Sequence, residues 1–153
     1  MKIYKTIEFV GSVYYSNHDS FCHSWQVYNR FKRIYGHQEN PKFNKQEFED
    51  LSNICLLHDV IEDCGIESKE AKFIKDNYSG FIYDTVLCLS RNKNEQYFSY
   101  IERVTKNKYA SIVKLCDLLV NIDRSEIGSS RINRYLKAAN IIVKVYPDIY
   151  EHK

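Results

Sequence analysis

Along most of the chain, apolar residues return every three or four positions, the period that places them on one face of a helix. Residues 3–16 and 20–35 read this way as two amphipathic helices, separated by the polar turn Ser16-Asn17-His18-Asp19. The stretch GHQENPKF at 36–43 breaks the pattern and reads as a loop. Asn44 then stands three residues before Glu47, the spacing of a capping box, and opens a further helix. Phe48, Leu51, Ile54, Cys55, Leu57, His58 and Ile61 keep its period up to Gly65, the expected stop. Ser68 opens the next, with Ala71, Phe73 and Ile74, and it ends near Tyr78-Ser79-Gly80. Helices at 81–89, 96–104, 110–122 and 132–146 follow. FIYDTVLCL at 81–89 would also suit a strand, but no partner strand is visible. Five glycines and two prolines leave little to break helices, so the expected class is all-α, one compact helical domain over 1–153.

Charge narrows the partners. A formal net charge of +2 gives no support for a nucleic-acid polymer or an anionic membrane as partner. The opening MKIYKTIEFVG has no apolar stretch long enough for a signal peptide or a span. Cys22, Cys55, Cys64, Cys88 and Cys116 are odd in number and contain no C-x-x-C pair. They read as reduced thiols, mostly packed in the core, of a cytoplasmic protein.

One run resists the apolar pattern. LLHDVIEDCG at 56–65 sets an imidazole and three carboxylates into what otherwise reads as a core helix. Unpartnered buried carboxylates cost several kcal/mol each, so the run is either solvated or faces a positive charge. Four-residue spacing stacks His58 with Glu62 and Asp59 with Asp63 as two neighbouring columns. Asp117 and Asn121 repeat that spacing inside the apolar IVKLCDLLVNID, and His23 is a third polar outlier in FCHSW. Each feature alone has an ordinary explanation: a solvated His-Asp pair, a satisfied core histidine, a polar patch between helices. Together, His23, His58, Asp59 and Asp117 make a two-imidazole, two-carboxylate set, the donor chemistry of Mn²⁺, Fe²⁺ or Co²⁺. Such an ion would neutralise the carboxylates and leave coordination positions for water and a substrate oxygen. His18, His37 and His152 fall in loop or tail contexts and read as surface residues.

The order H…HD-x-x-ED…D-x-x-x-N resembles the HD superfamily of metal-dependent phosphohydrolases, and more narrowly the (p)ppGpp hydrolase domain of RelA/SpoT homologues and its small stand-alone relatives. The stretches that carry the resemblance are LLHDVIEDCGI, YFSYIERV and VKLCDLLVNID. The resemblance implies His23, His58, Asp59 and Asp117 as metal ligands and Mn²⁺ as the ion. It implies Glu62 and Asp63 as the pair that orients and deprotonates the attacking water, and Asn121 as a substrate contact near the scissile phosphate. The implied activity is hydrolysis of a nucleotide phosphate ester or anhydride, first of all the 3′-pyrophosphate of (p)ppGpp. A cyclic nucleotide or cyclic oligonucleotide as substrate, or an inactive nucleotide-binding module, are the alternatives.

Lys114 and Arg124 are candidate phosphate contacts, with Arg91 and Lys93 flanking; all four also suit plain surface charge. The relatives carry an Arg-Lys-rich segment before the first histidine and a Tyr-Ile-x-His-Pro run. Here the corresponding VYYSNHDSFCHSW has no arginine or lysine, and Ser24 stands where proline would. The residues expected to grip the guanine and the 5′ phosphates are therefore missing. Tyr14 and Tyr15 are candidates for stacking on a base, or for packing at the rim.

Overall fold

The computed structural model describes residues 1–36 and 42–150; the middle of the expected 36–43 loop, with His37, and His152 in the tail lie outside them. The described residues form nine helical segments and no strand, so the chain is all-α. In order these are α1 (Ile3–Val13), α2 (His18–Tyr35), α3 (Lys45–Leu57), α4 (Val60–Cys64), α5 (Lys69–Asn77), α6 (Gly80–Leu89), α7 (Tyr97–Val104), α8 (Lys108–Arg124) and α9 (Ser130–Val145). The 81–89 stretch is helical, started by Ser79, whose hydroxyl accepts from Ile82 N–H.

Side-chain caps set most of the starts. Asn17, Asn44, Ser68, Ser79 and Asn107 each accept a backbone N–H of the first turn. Asn44 and Glu47 form the complete capping box. Asn17 and Asn107 start α2 and α8 two residues before their apolar patterns begin. A cap carries no hydrophobic signal, which is why periodicity places both starts late. α1 ends at Val13, before the expected 16, with Tyr14 turned out of helical geometry.

Two helices organise the interior. All of 51–57 in α3 is buried, so its last two turns lie within the core. α8 packs against α2, α3, α6, α7 and α9 and buries Ala110 to Val113, Leu115, Cys116, Leu118 and Val120. α2 packs on both α3 and α8, and α1 covers α3 from outside. Any polar group at the end of α3 or in the middle of α8 is therefore carried into the core.

The single helix expected from Asn44 to Gly65 is broken. His58 and Asp59 form a joint between α3 and α4, with Asp59 at φ −98° and ψ −10°. The cause lies in the histidine: its Nδ1 donates to Cys55 O at 2.8 Å, the carbonyl that a continuous ladder would give to Asp59 N–H. Gly65, at φ 95°, then ends α4 in a conformation that a side chain would strain.

Candidate metal centre

Three elements meet at one polar point in the core. α2 supplies His23, the α3–α4 joint supplies His58 and Asp59, and α8 supplies Asp117. His23, His58 and Asp117 each offer one ligand atom, and these atoms all lie within 4.8 Å of one another. Asp59 stands outside that trio, yet its Oδ2 is 3.0 Å from His58 Nε2 and 3.8 Å from His23 Nε2. The four residues singled out from the sequence are thus brought together.

The partners assign the imidazole tautomers. A carbonyl only accepts, so His58 Nδ1 carries a proton towards Cys55 O, and Nε2 is the atom at which the ring gains or loses its charge. That nitrogen is buried and makes no hydrogen bond among the described residues, although Asp59 Oδ2 and Asp117 Oδ1 lie 3.0 and 3.9 Å away. With two carboxylate oxygens at ion-pair distance, that nitrogen is placed to hold a proton or, in its stead, to share a divalent cation with them; a helix carbonyl fixing the other ring nitrogen is the usual support for a ligand histidine. His23 has the opposite arrangement. Arg124 Nη1 is 3.3 Å from its Nδ1, so Nε2 donates, at 2.8 Å, to Asp117 Oδ1.

Asp117 is the most heavily partnered carboxylate. Besides His23, Asn121 Nδ2 donates to Oδ1 at 2.8 Å and Lys114 Nζ donates to Oδ2 at 2.6 Å. Burial alone would raise its carboxyl; Lys114, the His23 bond and His58 outweigh that and hold it well below the usual range. For Lys114 burial opposes the charge, but Asp117 more than compensates and its ammonium is held protonated. The ammonium also sits 5.2 Å from the Tyr100 ring centre. Burial works against a charged His58 too, yet Asp59 and Asp117 push its imidazole up to about 9.

The two carboxylates after the joint face different partners. Glu62 Oε2 accepts from Arg91 N–H at 2.8 Å. Asp63 Oδ2 accepts from the Tyr14 hydroxyl at 2.8 Å, and burial raises its carboxyl despite that bond. Tyr14 is buried, as its packing alternative expected, and its hydroxyl tethers α4. Tyr15 is 92 % exposed and lines none of the cavities beside the cluster.

A cavity of about 390 Å³ opens on the cluster, lined by His23, Asp59, Glu62, Lys114, Asp117 and Asn121. Arg91, Tyr97, Tyr100, Arg134 and Tyr135 complete the lining. A neighbouring cavity of about 630 Å³ shares His23, Asn121 and Tyr135 and runs past Arg124 and Arg131. On the far side of Glu62 and Arg91, a third of about 1020 Å³ includes Lys93 and Arg103. Tyr97, Tyr100, Arg134 and Tyr135 were not singled out from the sequence. Aromatics at three-residue spacing in YFSY, and an arginine before a tyrosine in α9, look like ordinary amphipathic helix.

No protein-family model matches the chain, and no match was found among curated proteins. No helix among the described residues is long and apolar enough to cross a membrane.

Proposed function

We propose that the protein is a metal-dependent phosphohydrolase that cleaves a phosphate ester or anhydride of a nucleotide, with (p)ppGpp, cut at its 3′-pyrophosphate, as the leading substrate. The observation that carries the reading is the convergence of His23, His58 and Asp117, with Asp59 beside them, at one point in the core, the His58 ring fixed from behind by Cys55 O. His23, His58, Asp59 and Asp117 would hold Mn²⁺. Bound there, the ion supplies Lewis-acid polarisation of a phosphoryl oxygen and makes water more acidic.

The chain's own residues do the rest. Among the described residues Glu62 is pinned through Oε2 only, and Oε1 is the oxygen assigned to take the proton of the attacking water. Asp63, held by Tyr14 on the neighbouring column of α4, is assigned a supporting share of this duty. Asn121 and Arg124 reach the cluster from α8, and Arg91 and Arg134 line its cavity, so phosphoryl oxygens meet cations on several sides. Lys114 is engaged by Asp117 and acts as an internal counter-charge rather than an outward phosphate contact. The base contacts missing before His23 fit a reading in which the guanine is weakly selected. The five free cysteines are in keeping with a cytoplasmic setting.

The test is turnover of ppGpp, its adenine analogue, a 3′-phosphorylated dinucleotide and a cyclic nucleotide by Mn²⁺-loaded and chelated protein. Phosphate or pyrophosphate release from ppGpp that needs Mn²⁺ is the expected result, with poor selectivity between guanine and adenine. Turnover confined to the cyclic compound would reassign the substrate. Tight nucleotide binding with no turnover would reassign the protein as a binding module.

A further inference from the structure

The segment between α6 and α7 is held far more firmly than a surface connection requires. Three successive carbonyls at the end of α6 each accept a side-chain bond from α7. Arg103 Nη1 donates to Cys88 O at 2.8 Å, the Tyr100 hydroxyl to Leu89 O, and Arg103 Nη2 to Ser90 O at 2.9 Å. The same guanidinium grips Glu95 with two parallel bonds, Nε to Oε1 at 2.7 Å and Nη2 to Oε2 at 2.8 Å. Glu95 Oε2 also accepts from Asn92 N–H at 3.1 Å. The next backbone donor after this clamp is Arg91 N–H, and it is spent on Glu62 Oε2 at 2.8 Å.

We propose that Arg103 is a positioning residue for Glu62: with Glu95 it fixes the 88–95 backbone so that the Arg91 amide holds one oxygen of the Glu62 carboxylate. The inference rests on the reading of Glu62 as proton acceptor. An exposed carboxylate on a five-residue helix has many rotamers, and a fixed amide selects one of them. A planar guanidinium suits the task, because only its fork satisfies two carbonyls and a bidentate carboxylate at once. Arg103 holds the Glu95 carboxyl down to about 2, so the pair stays ionised across any practical assay range.

Mn²⁺-loaded wild type, Arg103→Lys and Glu95→Gln are compared, each alone and with Glu62→Gln. Misplacement of a catalytic group by about 1 Å costs about 100-fold, so kcat should fall about 10- to 100-fold in each clamp variant. Mn²⁺ affinity should stay within about threefold, because no ligand is touched; KM is not used to decide, because Arg91, a phosphate contact, sits on the same backbone. With Glu62 already changed to Gln, Arg103→Lys should cost less than about twofold more. Equal losses in both backgrounds would make Arg103 a plain helix brace and overturn the proposal, as would an unchanged kcat in a folded Arg103→Lys. Should Arg103→Lys fail to fold, Glu95→Gln gives the same reading. Hydrogen exchange of the Arg91 amide tests the clamp without turnover. Faster exchange in both variants supports it even if wild type hydrolyses no nucleotide, and identical rates in all three overturn it.

Discussion

His58 carries two different proton states in one ring. Nδ1 is committed to Cys55 O, while Nε2 faces Asp59 and Asp117, which raise the imidazole to about 9. Because this lies above its ordinary value of about 6.5, in metal-free protein the charged ring adds stability that is complete below that value and lost as pH rises through 9. A metal ligand must be neutral, so Mn²⁺ has to displace the proton. Apparent Mn²⁺ affinity should therefore climb about tenfold per pH unit up to about 9 and then level off. Titration calorimetry in buffers of different ionisation enthalpy measures the released proton; a pH-independent affinity with no release would count against His58 as a ligand. The neighbouring carboxylates divide differently. Glu62→Gln should keep Mn²⁺ and lose about 10²- to 10⁴-fold in turnover, whereas Asp59→Asn should weaken Mn²⁺ itself. Full activity in Glu62→Gln would refute the assigned role. Residue identities at the cluster were legible because each is a polar intrusion into an apolar pattern. Tyr14 was named there too, but its bond to Asp63 was not legible, since a buried tyrosine with one polar bond looks in sequence like any core aromatic.

At the scale of elements, the joint between α3 and α4 is what brings His58 and Asp59 to bear on one point. Periodicity could not reveal it, for the apolar spacing runs through the break undisturbed from Leu57 to Ile61. The interruption comes from a single side chain competing for Cys55 O, a local contest that hydrophobic pattern does not encode. The N-terminus of α3, by contrast, was readable in full, because Asn44 and Glu47 are a sequence-local device. That separation can be measured. Asn44→Ala removes the cap at the outer end of the helix and should cost about 1 kcal/mol of stability. Mn²⁺ affinity should not change, because the cap is about four turns from the joint. A melting curve with a calorimetric titration decides it; a parallel loss of metal binding would mean that α3 transmits disorder along its length.

For the molecule as a whole, the fold class followed from scarce helix breakers and consistent periodicity, while the walls of the cavity did not. Tyr97, Tyr100, Arg134 and Tyr135 come from α7 and α9, and only tertiary packing against α8 turns them towards the cluster. A ligand that binds the native chain alone stabilises it by about 2.7 kcal/mol at a hundredfold excess over its dissociation constant. Mn²⁺ should accordingly raise the melting temperature and a chelator reverse the gain; identical curves for loaded and stripped protein would remove the site. Lys114 sets how large that gain can be. Its ammonium, 2.6 Å from Asp117 Oδ2, already supplies a positive charge to the most buried carboxylate. The chain thus brings its own placeholder for the ion. If the site takes Mn²⁺ as proposed, an order of assembly follows: the polypeptide would reach its native shape in a metal-poor cell, and loading would be a later exchange of one cation's influence for another's, reversible without unfolding.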